Sequence, residues 1–360
     1  MRMLSICLIM FASTADAASR IALHALSPDG SKAVITYDVE WIEVDLATGA
    51  TDLILPTVTC SFTSAAYAPS GGDMALAAHC SVSIECAATR ASLFTKPAGE
   101  PVRHVLTTEG RIWNNILWPR GLRGDDIIVR ETRVSAPLAT GLNDLDQYGG
   151  GCAQAPGSFI AIDPTDGRRT ALDFLPRGWS AVDMIGAAGG EMIATLRARP
   201  TKNDHYTAEA EARSLCSDDH PDDWRKSICG PEGQDIRVRW QAGDWTLYDQ
   251  AEATPLRRFA SADLSVTADE YCTGKQIEGH VQTECRIIVN APYGMREVVA
   301  PEGLFGDIAL SADGTMLASL VIGRGLPYRR FDLFDLEAGT MTSLAHLLDA
   351  KPPWLGGRTP

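Results

Sequence analysis

The chain has 360 residues, 45% of them hydrophobic, and its 32 basic and 46 acidic side chains give a formal net charge of −14. A hydrophobic fraction of this size is typical of a globular protein with a buried core. The acidic balance repels phosphate groups, which argues against a nucleic acid as partner and against binding to an anionic membrane surface.

The first residues resemble a secretory signal peptide. Arg2 supplies a positive charge, residues 4–11 are apolar, and Ala15 and Ala17 fit the small-residue pattern that precedes a cleavage site. The apolar run is too short to span a bilayer and no longer one follows, so we expect no membrane span. These features predict a signal peptide at 1–17, cleavage near Ala17, and a periplasmic or secreted mature protein.

Two short phrases recur along the rest of the chain. The first is a turn such as Ser-Pro-Asp-Gly between two apolar strands, whose Asp-Gly or Gly-Gly pair accepts the positive φ angles of tight hairpins. The second is a strand that ends in a polar residue, with glycine four positions later and another short strand behind it. The first phrase occurs at 27–30, 69–72 and 311–314; the second starts at Asp45, Thr95, Asp163, Asn290 and Asp335, with a degenerate copy at Asp249.

Together the phrases predict a four-stranded antiparallel sheet that is repeated six times. We interpret the first phrase as the turn between strands a and b, and the second as the turn between strands c and d. One such sheet cannot bury both of its faces alone, whereas sheets stacked radially bury each other, so the repeat predicts a six-bladed β-propeller. A β-sandwich also has short strands at regular spacing, but the fixed order of the two phrases argues against it.

The predicted propeller spans 18–346 and is followed by a C-terminal tail at 347–360. In blade four, the short strand at 256–259 follows the degenerate phrase and is assigned to strand d. The predicted blades are approximately 21–56, 58–107, 111–175, 179–259, 261–300 and 303–346.

The first and last blades carry a resemblance to a known family. Their phrases LSPDGSKAVITY and LSADGTMLASL resemble TolB-type propeller repeats. Similar repeats build the propeller that precedes the hydrolase domain of prolyl oligopeptidase and dipeptidyl-peptidase enzymes. The resemblance implies a propeller but no peptidase activity, because the sequence has no G-x-S-x-G nucleophile elbow and we expect no hydrolase domain after blade six.

The largest insertions into the repeat lie near 134–156 and 198–240, and both fall between strands b and c. All b–c connections of a propeller emerge on one face, and insertions gathered on one face of a repeat protein often form its binding face. Polar and aromatic side chains of these segments are the candidate binding residues, although a solvated loop or simple packing would also explain them. The candidates are Asp144, Asp146, Tyr148, Tyr206, His220, Trp224, Arg225 and Trp240.

Eight cysteines remain once Cys7 leaves with the signal peptide, and an even number in an exported protein predicts disulfides. We predict the pairs Cys216–Cys229 and Cys272–Cys285, and these links would hold the insertions of the b–c face. No Cys-x-x-Cys pair and no close histidine spacing indicates a metal site, so we expect neither metal nor cofactor. Three pairings remain for the other four cysteines, and we favour Cys80–Cys86 with Cys60–Cys152.

These features favour a non-catalytic scaffold whose partner contacts the b–c face. The expected partner is a protein or a peptide, with a saccharide as the alternative. A propeller enzyme, such as a lyase or hydrolase acting on a saccharide or peptide at the channel mouth, is a second hypothesis. A peptidase-type propeller that has lost its hydrolase domain is a third. Three or more ionisable side chains converging at the channel mouth would favour the enzyme.

Overall fold

A computed structural model describes the chain between residues 21 and 344. In this part, every regular element is a β-strand, and no segment forms a helix long and apolar enough to cross a membrane. Between residues 21 and 344, the structure does not describe residues 38–39, 55–59, 82–88, 120–124, 134–156, 173–174, 176–178, 199–234, 242–243, 248–254, 278–279, 300–303 and 323–329.

The strands form six four-stranded antiparallel sheets, one for each blade, with strand a innermost and strand d outermost. Blade one contains β1 (Ile21–Leu26), β2 (Lys32–Tyr37), β3 (Glu40–Asp45) and β4 (Thr51–Ile54). Blade two contains β5 (Ser61–Tyr67), β6 (Met74–Ser81), β7 (Thr89–Lys96) and β8 (Arg103–Glu109). Blade three contains β9 (Arg111–Leu117), β10 (Ile127–Arg133), β11 (Ser158–Ile162) and β12 (Arg169–Ala171).

The second half of the ring repeats the same order. Blade four contains β13 (Trp179–Ala188), β14 (Glu191–Ala198), β15 (Asp235–Gln241) and β16 (Asp244–Leu247). Blade five contains β17 (Arg257–Ala260), β18 (Thr267–Ile277), β19 (His280–Ala291) and β20 (Gly294–Val299). Blade six contains β21 (Leu304–Leu310), β22 (Met316–Ile322), β23 (Arg330–Asp335) and β24 (Thr340–Ser343).

The six a strands surround a common axis. β1 contacts β5 on one side and β21 on the other, and contacts between neighbouring a strands continue through β9, β13 and β17. Every described sheet consists of four strands that follow one another in sequence. The first and last blades therefore close the ring by packing, and the predicted six-bladed β-propeller is confirmed.

One strand belongs to a different blade from the predicted one. The strand at 256–259 was assigned to blade four, but β17 pairs with β18 and is strand a of blade five. The outermost strand of blade four is β16, which pairs with β15 so that Gln241 lies opposite Asp244. That tight connection lacks the glycine spacing of the second phrase, so the prediction placed the turn one strand too late.

Apolar side chains from facing sheets fill the space between neighbouring blades. Trp41 and Ile54 of blade one pack with Phe62 and Leu76 of blade two. Similar clusters join blades two and three, three and four, five and six, and six and one. Towards the outside of the ring the side chains become exposed. In the outermost strand β24, for example, all four residues are exposed.

Polar contacts also cross the seams between blades. The Thr63 hydroxyl donates to the Trp113 carbonyl oxygen over 2.8 Å, which links blades two and three. The backbone amide of Leu23 donates to Asp307 Oδ2 over 3.1 Å, across the junction between the first and last blades. Arg257 donates to the Phe305 carbonyl oxygen over 3.0 Å, which links blades five and six.

The a–b turns of blades one, five and six share one hydrogen-bond pattern. In blade one, Asp29 Oδ1 accepts bonds from the Ser27 hydroxyl (2.7 Å) and from the Ser31 backbone amide (3.1 Å). The turns at 261–265 and 311–315 repeat both bonds. Blade five therefore contains the first phrase, although the sequence analysis did not find it there.

Leu264 occupies the position that glycine holds in the other two turns, and its φ is 59°. A left-handed backbone costs a non-glycine residue roughly 1–2 kcal/mol. The leucine reaches blade four, because a Cβ added to Gly186 would lie 2.6 Å from Leu264 Cδ2 and 2.9 Å from Ala260 Cβ. The seam between blades four and five thus depends on a bare glycine in β13.

Two disulfides lie across paired strands. Cys272–Cys285 is confirmed, and the two residues are register partners in β18 and β19. Cys60 bonds to Cys80, so the favoured pairing Cys80–Cys86 with Cys60–Cys152 is wrong. Ser61 pairs with His79, and this register brings Cys60 opposite Cys80. The remaining cysteines, Cys86, Cys152, Cys216 and Cys229, lie outside the described residues.

We expect Gly186→Ala to lower the free energy of unfolding by about 1–3 kcal/mol, because the new methyl group overpacks the seam. Urea unfolding followed by tryptophan fluorescence measures the loss. The double variant Gly186→Ala/Leu264→Ala should lose less than the sum of the two single losses, since the truncated leucine leaves room for the methyl group. Simply additive losses would contradict this account of the seam.

Candidate binding site

The two faces of the propeller are built differently. Strand a runs from the b–c face towards the a–b turns, so the a–b and c–d turns share the opposite face. The a–b connections include the short ones at 27–31, 189–190 and 311–315. The long connections at 134–157 and 199–234 both join strand b to strand c, as predicted, but the second ends earlier than predicted because 235–241 form strand c of blade four.

Blade five extends beyond the rest of its sheet on the b–c face. β18 and β19 pair without interruption from Thr267 and Asn290 to Ile277 and His280. Their outer neighbour β20 pairs only as far as Arg286. The last part is therefore a two-stranded ribbon, which projects by roughly 17 Å at the usual rise of a strand. The disulfide Cys272–Cys285 crosses the base of this ribbon.

Only one of the eight predicted binding residues lies in the described part of the chain. Trp240 lies on β15, opposite Met192 of β14, and is half-buried against the cluster between blades three and four. This packing was the plainer interpretation of that tryptophan. Trp240 lies beside the c–d turn of blade four, so it is at the opposite face from the b–c connections, and any role in binding stays a prediction. The other predicted residues lie outside the described residues: Asp144, Asp146, Tyr148, Tyr206, His220, Trp224 and Arg225.

A cavity of about 310 Å³ lies on the propeller axis. All six a strands contribute to its lining, mainly through their second halves, so it lies towards the a–b turns. These residues could not be identified from the sequence, because they come from strands far apart in the chain. Their polar members are drawn together only by the ring: His24, Ser64, Asn115, Asp183, Arg258 and Ser261.

β-bulges in the a strands shape this lining. The register of β1 shifts between Leu23 and Ala25, and that of β13 shifts between Ala181 and Asp183. Comparable shifts occur in β5, β9 and β21. A bulge turns a side chain away from the regular alternation of a strand. The side chains of these strands that face the axis therefore could not be predicted from the alternation of the sequence.

His24 is held neutral at the cavity wall. Its ring stacks on Trp41 with the centroids 3.9 Å apart, and its Nε2 lies 3.1 Å from the Thr36 hydroxyl. Burial lowers the pKa of His24 to about 4, because the charged imidazolium would lose solvation. The imidazole therefore contributes a neutral polar group to the cavity at physiological pH.

Asp183 is the carboxylate of the cavity wall. Its Oδ1 accepts a hydrogen bond from Asn115 Nδ2 of blade three and one of 2.9 Å from the Met184 backbone amide. Burial raises the pKa of Asp183, and these two bonds and the charges of Arg130 and Arg237 only partly oppose the effect. The wall therefore carries an acid that is poorly solvated when ionised.

Arg258 is neutralised by a neighbour in its own blade. Its guanidinium binds Asp269 through two nitrogens, one of them 2.6 Å from Oδ2. Both side chains are almost fully buried, at 6% and 5% exposure. The ionisable side chains of the wall thus each bond within one blade or to the next, rather than to one another.

One group of described residues has the composition of a metal site. Side-chain atoms of Glu270, Cys272 and Cys285 lie within 4.8 Å of one another. The two cysteines are joined as a disulfide, and Glu270 binds Arg257 through both carboxylate oxygens. These partners occupy the atoms that would coordinate a metal.

Comparisons with known proteins give a likeness of structure. No protein-family model matches the chain, and no curated protein matches it by sequence. The tricorn protease is 11% identical with a TM-score of 0.50, and the aligned region covers 91% of this chain and 26% of that one. TolB from Acinetobacter baumannii is 12% identical with a TM-score of 0.46, over 90% of this chain and 63% of TolB.

The propeller domain of the Trilobed protease from Pyrococcus furiosus is 8% identical, with a TM-score of 0.44, over 90% of this chain and 97% of that domain. The chain has the six-bladed propeller fold described above. This agrees with the resemblance of its repeats to TolB and to peptidase propellers. At these identities the likeness shows the fold alone, and the chain spans less than two thirds of TolB and of the tricorn protease.

We expect the stability of the protein to fall as the pH is lowered through the titration of His24. The folded pKa of His24, about 4, is below the unfolded value of 6.5, so the unfolded chain binds more protons between these values. At about pH 5 the loss should be about 2 kcal/mol relative to neutral pH.

Urea unfolding at both pH values, with the variant His24→Gln as reference, isolates this loss from that of other groups. The variant lacks the imidazole, so its stability should fall by less over the same interval. Equal losses in the two proteins would contradict a neutral, buried His24.

Proposed function

We propose that the chain is an exported, non-catalytic propeller that binds a protein or peptide partner through its b–c face. The observation that carries the proposal is the asymmetry of the two faces. The long connections at 134–157 and 199–234 leave and rejoin their sheets at the b–c ends of the strands, and the ribbon of blade five extends from the same end of its sheet. The described a–b turns are short, and three of them share one hydrogen-bonded design.

The ribbon supports binding because its backbone extends beyond the four-stranded part of blade five. Beyond Cys272 and Cys285, no other described strand of the sheet pairs with β18 or β19. An isolated two-stranded hairpin is marginally stable in water, and the disulfide at its base offsets part of that weakness. A fold that only needed a closed ring would not require this extension.

The central cavity supports binding rather than catalysis. A catalytic acid or base needs its proton-transferring atom free to meet a substrate. Arg258 is paired with Asp269, and His24 stacks on Trp41. In the described part of the chain, Asp183 keeps one carboxylate oxygen free, but neither His24 nor Arg258 bonds to it as a second catalytic group would. These side chains bond to separate partners, so the described wall does not join them into a catalytic set.

Export is supported by the two disulfides. Disulfides form and persist in the periplasm and outside the cell, and they are rare in reducing compartments. Cys60–Cys80 and Cys272–Cys285 both fasten strands near the b–c face. Together with the leader-like residues 1–17, they favour a periplasmic or secreted protein.

Site-specific photo-crosslinking tests the binding face. A photoreactive amino acid replaces Arg133 or Glu284, which are exposed near the b–c face, or the controls Thr48 and Glu100, which are exposed in c–d turns of the other face. We expect cells that produce the full chain to yield a discrete adduct from Arg133 or Glu284 and none from Thr48 or Glu100.

Mass spectrometry of the adduct identifies the partner, and shortening the ribbon should weaken its binding to the purified protein by about tenfold or more. The shortened variant joins Lys275 to Gln282 through an Asn-Gly turn and retains Cys272 and Cys285. Adducts confined to Thr48 and Glu100 would contradict the proposal, as would unchanged affinity of a folded, shortened variant.

A further inference from the structure

The cavity on the axis differs from the b–c face in position and in chemistry. It lies towards the a–b turns, at the opposite end of the a strands from the b–c connections. Its volume of about 310 Å³ is within the range of small-molecule sites. Its wall combines apolar and aromatic side chains with a few polar groups, which is the usual composition of such sites.

Asp183 provides an acceptor that no residue in the described part of the chain uses. Asn115 and the Met184 amide both donate to Oδ1, which holds the carboxylate in one orientation. Among the residues that the structure describes, none donates a hydrogen bond to Oδ2. An acidic group that is largely buried, oriented and only half-bonded is prepared for a donor from outside the fold.

The other charges near Asp183 do not supply that donor. Arg258 lines the cavity but is neutralised by Asp269. Arg130 donates to the Ala181 carbonyl oxygen over 2.9 Å, and Arg237 donates to the Pro255 carbonyl oxygen over 2.6 Å. Neither of these two arginines lines the cavity. They attract the carboxylate, yet burial still raises the pKa of Asp183, so the ionised form remains short of stabilising partners.

Aromatic side chains lie in the same wall. Trp118 follows the end of β9 and donates its indole N–H to the Asp125 carbonyl oxygen over 3.0 Å, which fixes the ring at the a–b end of the cavity. Phe259 of β17 is a second aromatic member of the lining. Aromatic faces attract cations, and they also cover the apolar part of a ligand.

We propose that this cavity binds a small organic amine, whose ammonium group pairs with Asp183 and whose apolar part contacts Trp118 and Phe259. The ammonium supplies the donor that Oδ2 lacks, and it enters a wall whose other described charges are neutral or paired. The site is independent of the partner that we propose for the b–c face.

Calorimetry on the full mature chain tests the proposal with three probes of similar size. Phenethylamine carries an ammonium group, 2-phenylethanol is neutral, and 3-phenylpropionate carries a carboxylate. We expect phenethylamine to bind and the other two to bind at least about tenfold more weakly, because charge-assisted bonds are stronger than neutral ones. Equal binding of all three, tighter binding of the carboxylate, or no binding of the amine at about 10 mM would overturn the proposal.

Asp183→Asn removes the charge and keeps an oxygen that can accept from Asn115 and Met184. We expect it to weaken phenethylamine binding by about tenfold or more. Asp307→Asn is the matched control, because Asp307 accepts a bond from the Leu23 amide and does not line the cavity. The control should change the affinity by less than about twofold. An unchanged affinity in folded Asp183→Asn would overturn the proposal.

If Asp183→Asn does not fold, Trp118→Leu provides the second variant. It should weaken phenethylamine binding several-fold while its circular dichroism spectrum stays that of the parent. Unchanged affinity in this variant would overturn the proposal. Crosslinking from Arg133 or Glu284 should be the same in Asp183→Asn as in the parent, so failure of the amine site and failure of the b–c face are distinguishable.

Discussion

Mutual burial of apolar sheet faces is the interaction on which this molecule depends. Strand β6 illustrates it, because its side chains alternate between two neighbours. Met74, Leu76 and Ala78 join the cluster shared with blade one, whereas Ala75 and Ala77 join the cluster shared with blade three. All five are fully buried. A sheet taken out of the ring would expose one or both of these faces, at a cost of roughly 25 cal/mol for each Å² of apolar surface.

Charged groups between neighbouring blades help to fix the orientation of one blade relative to the next. Glu43 of blade one is buried at 5% exposure, and it accepts bonds from Lys96 (2.9 Å) and Tyr67 (3.0 Å) of blade two. A buried ion pair adds little net stability, because desolvation offsets most of the attraction. Removing one partner, however, leaves an unpaired charge, so such contacts favour one relative placement of two blades over others.

Because contacts between neighbouring sheets hold the ring together, the connecting loops can differ in length. The described a–b turns need only a tight connection, which the serine–aspartate pattern at 27–31, 261–265 and 311–315 provides. The b–c connections carry no comparable requirement, and they are where the chain extends. The ring thus provides two separate regions, an elaborated face and a cavity lined by the innermost strands.

The fold could be predicted from the sequence because its local signals recur. Turn phrases at Asp29 and Asp313 and the strands beside them indicated the blades at both ends of the chain. The predicted blades were wrong where another residue replaced the expected one. Leu264 stands where glycine was sought, and the connection after Gln241 lacks the expected spacing, so one strand was placed in the wrong blade.

Features that depend on the register or on the assembled ring could not be predicted. Cys60 and Cys80 are bonded because Ser61 pairs with His79, a register that depends on the bulge in β5. Asn115 and Asp183 meet because two a strands from different blades are neighbours around the axis. Neither contact can be predicted from the spacing of these residues along the chain. Cys272 and Cys285, in contrast, lie in one simple hairpin, and its register places them opposite each other as predicted.

Native-state hydrogen exchange in the parent and in Leu320→Ala tests mutual burial most directly. Leu320 of β22 is fully buried in the cluster between blades six and one. If the blades stabilise one another, its truncation should lower the opening free energy by about 2–5 kcal/mol for slow amides in all six blades, including β14 on the far side of the ring. A loss confined to blades one and six, with β14 unchanged, would contradict the account.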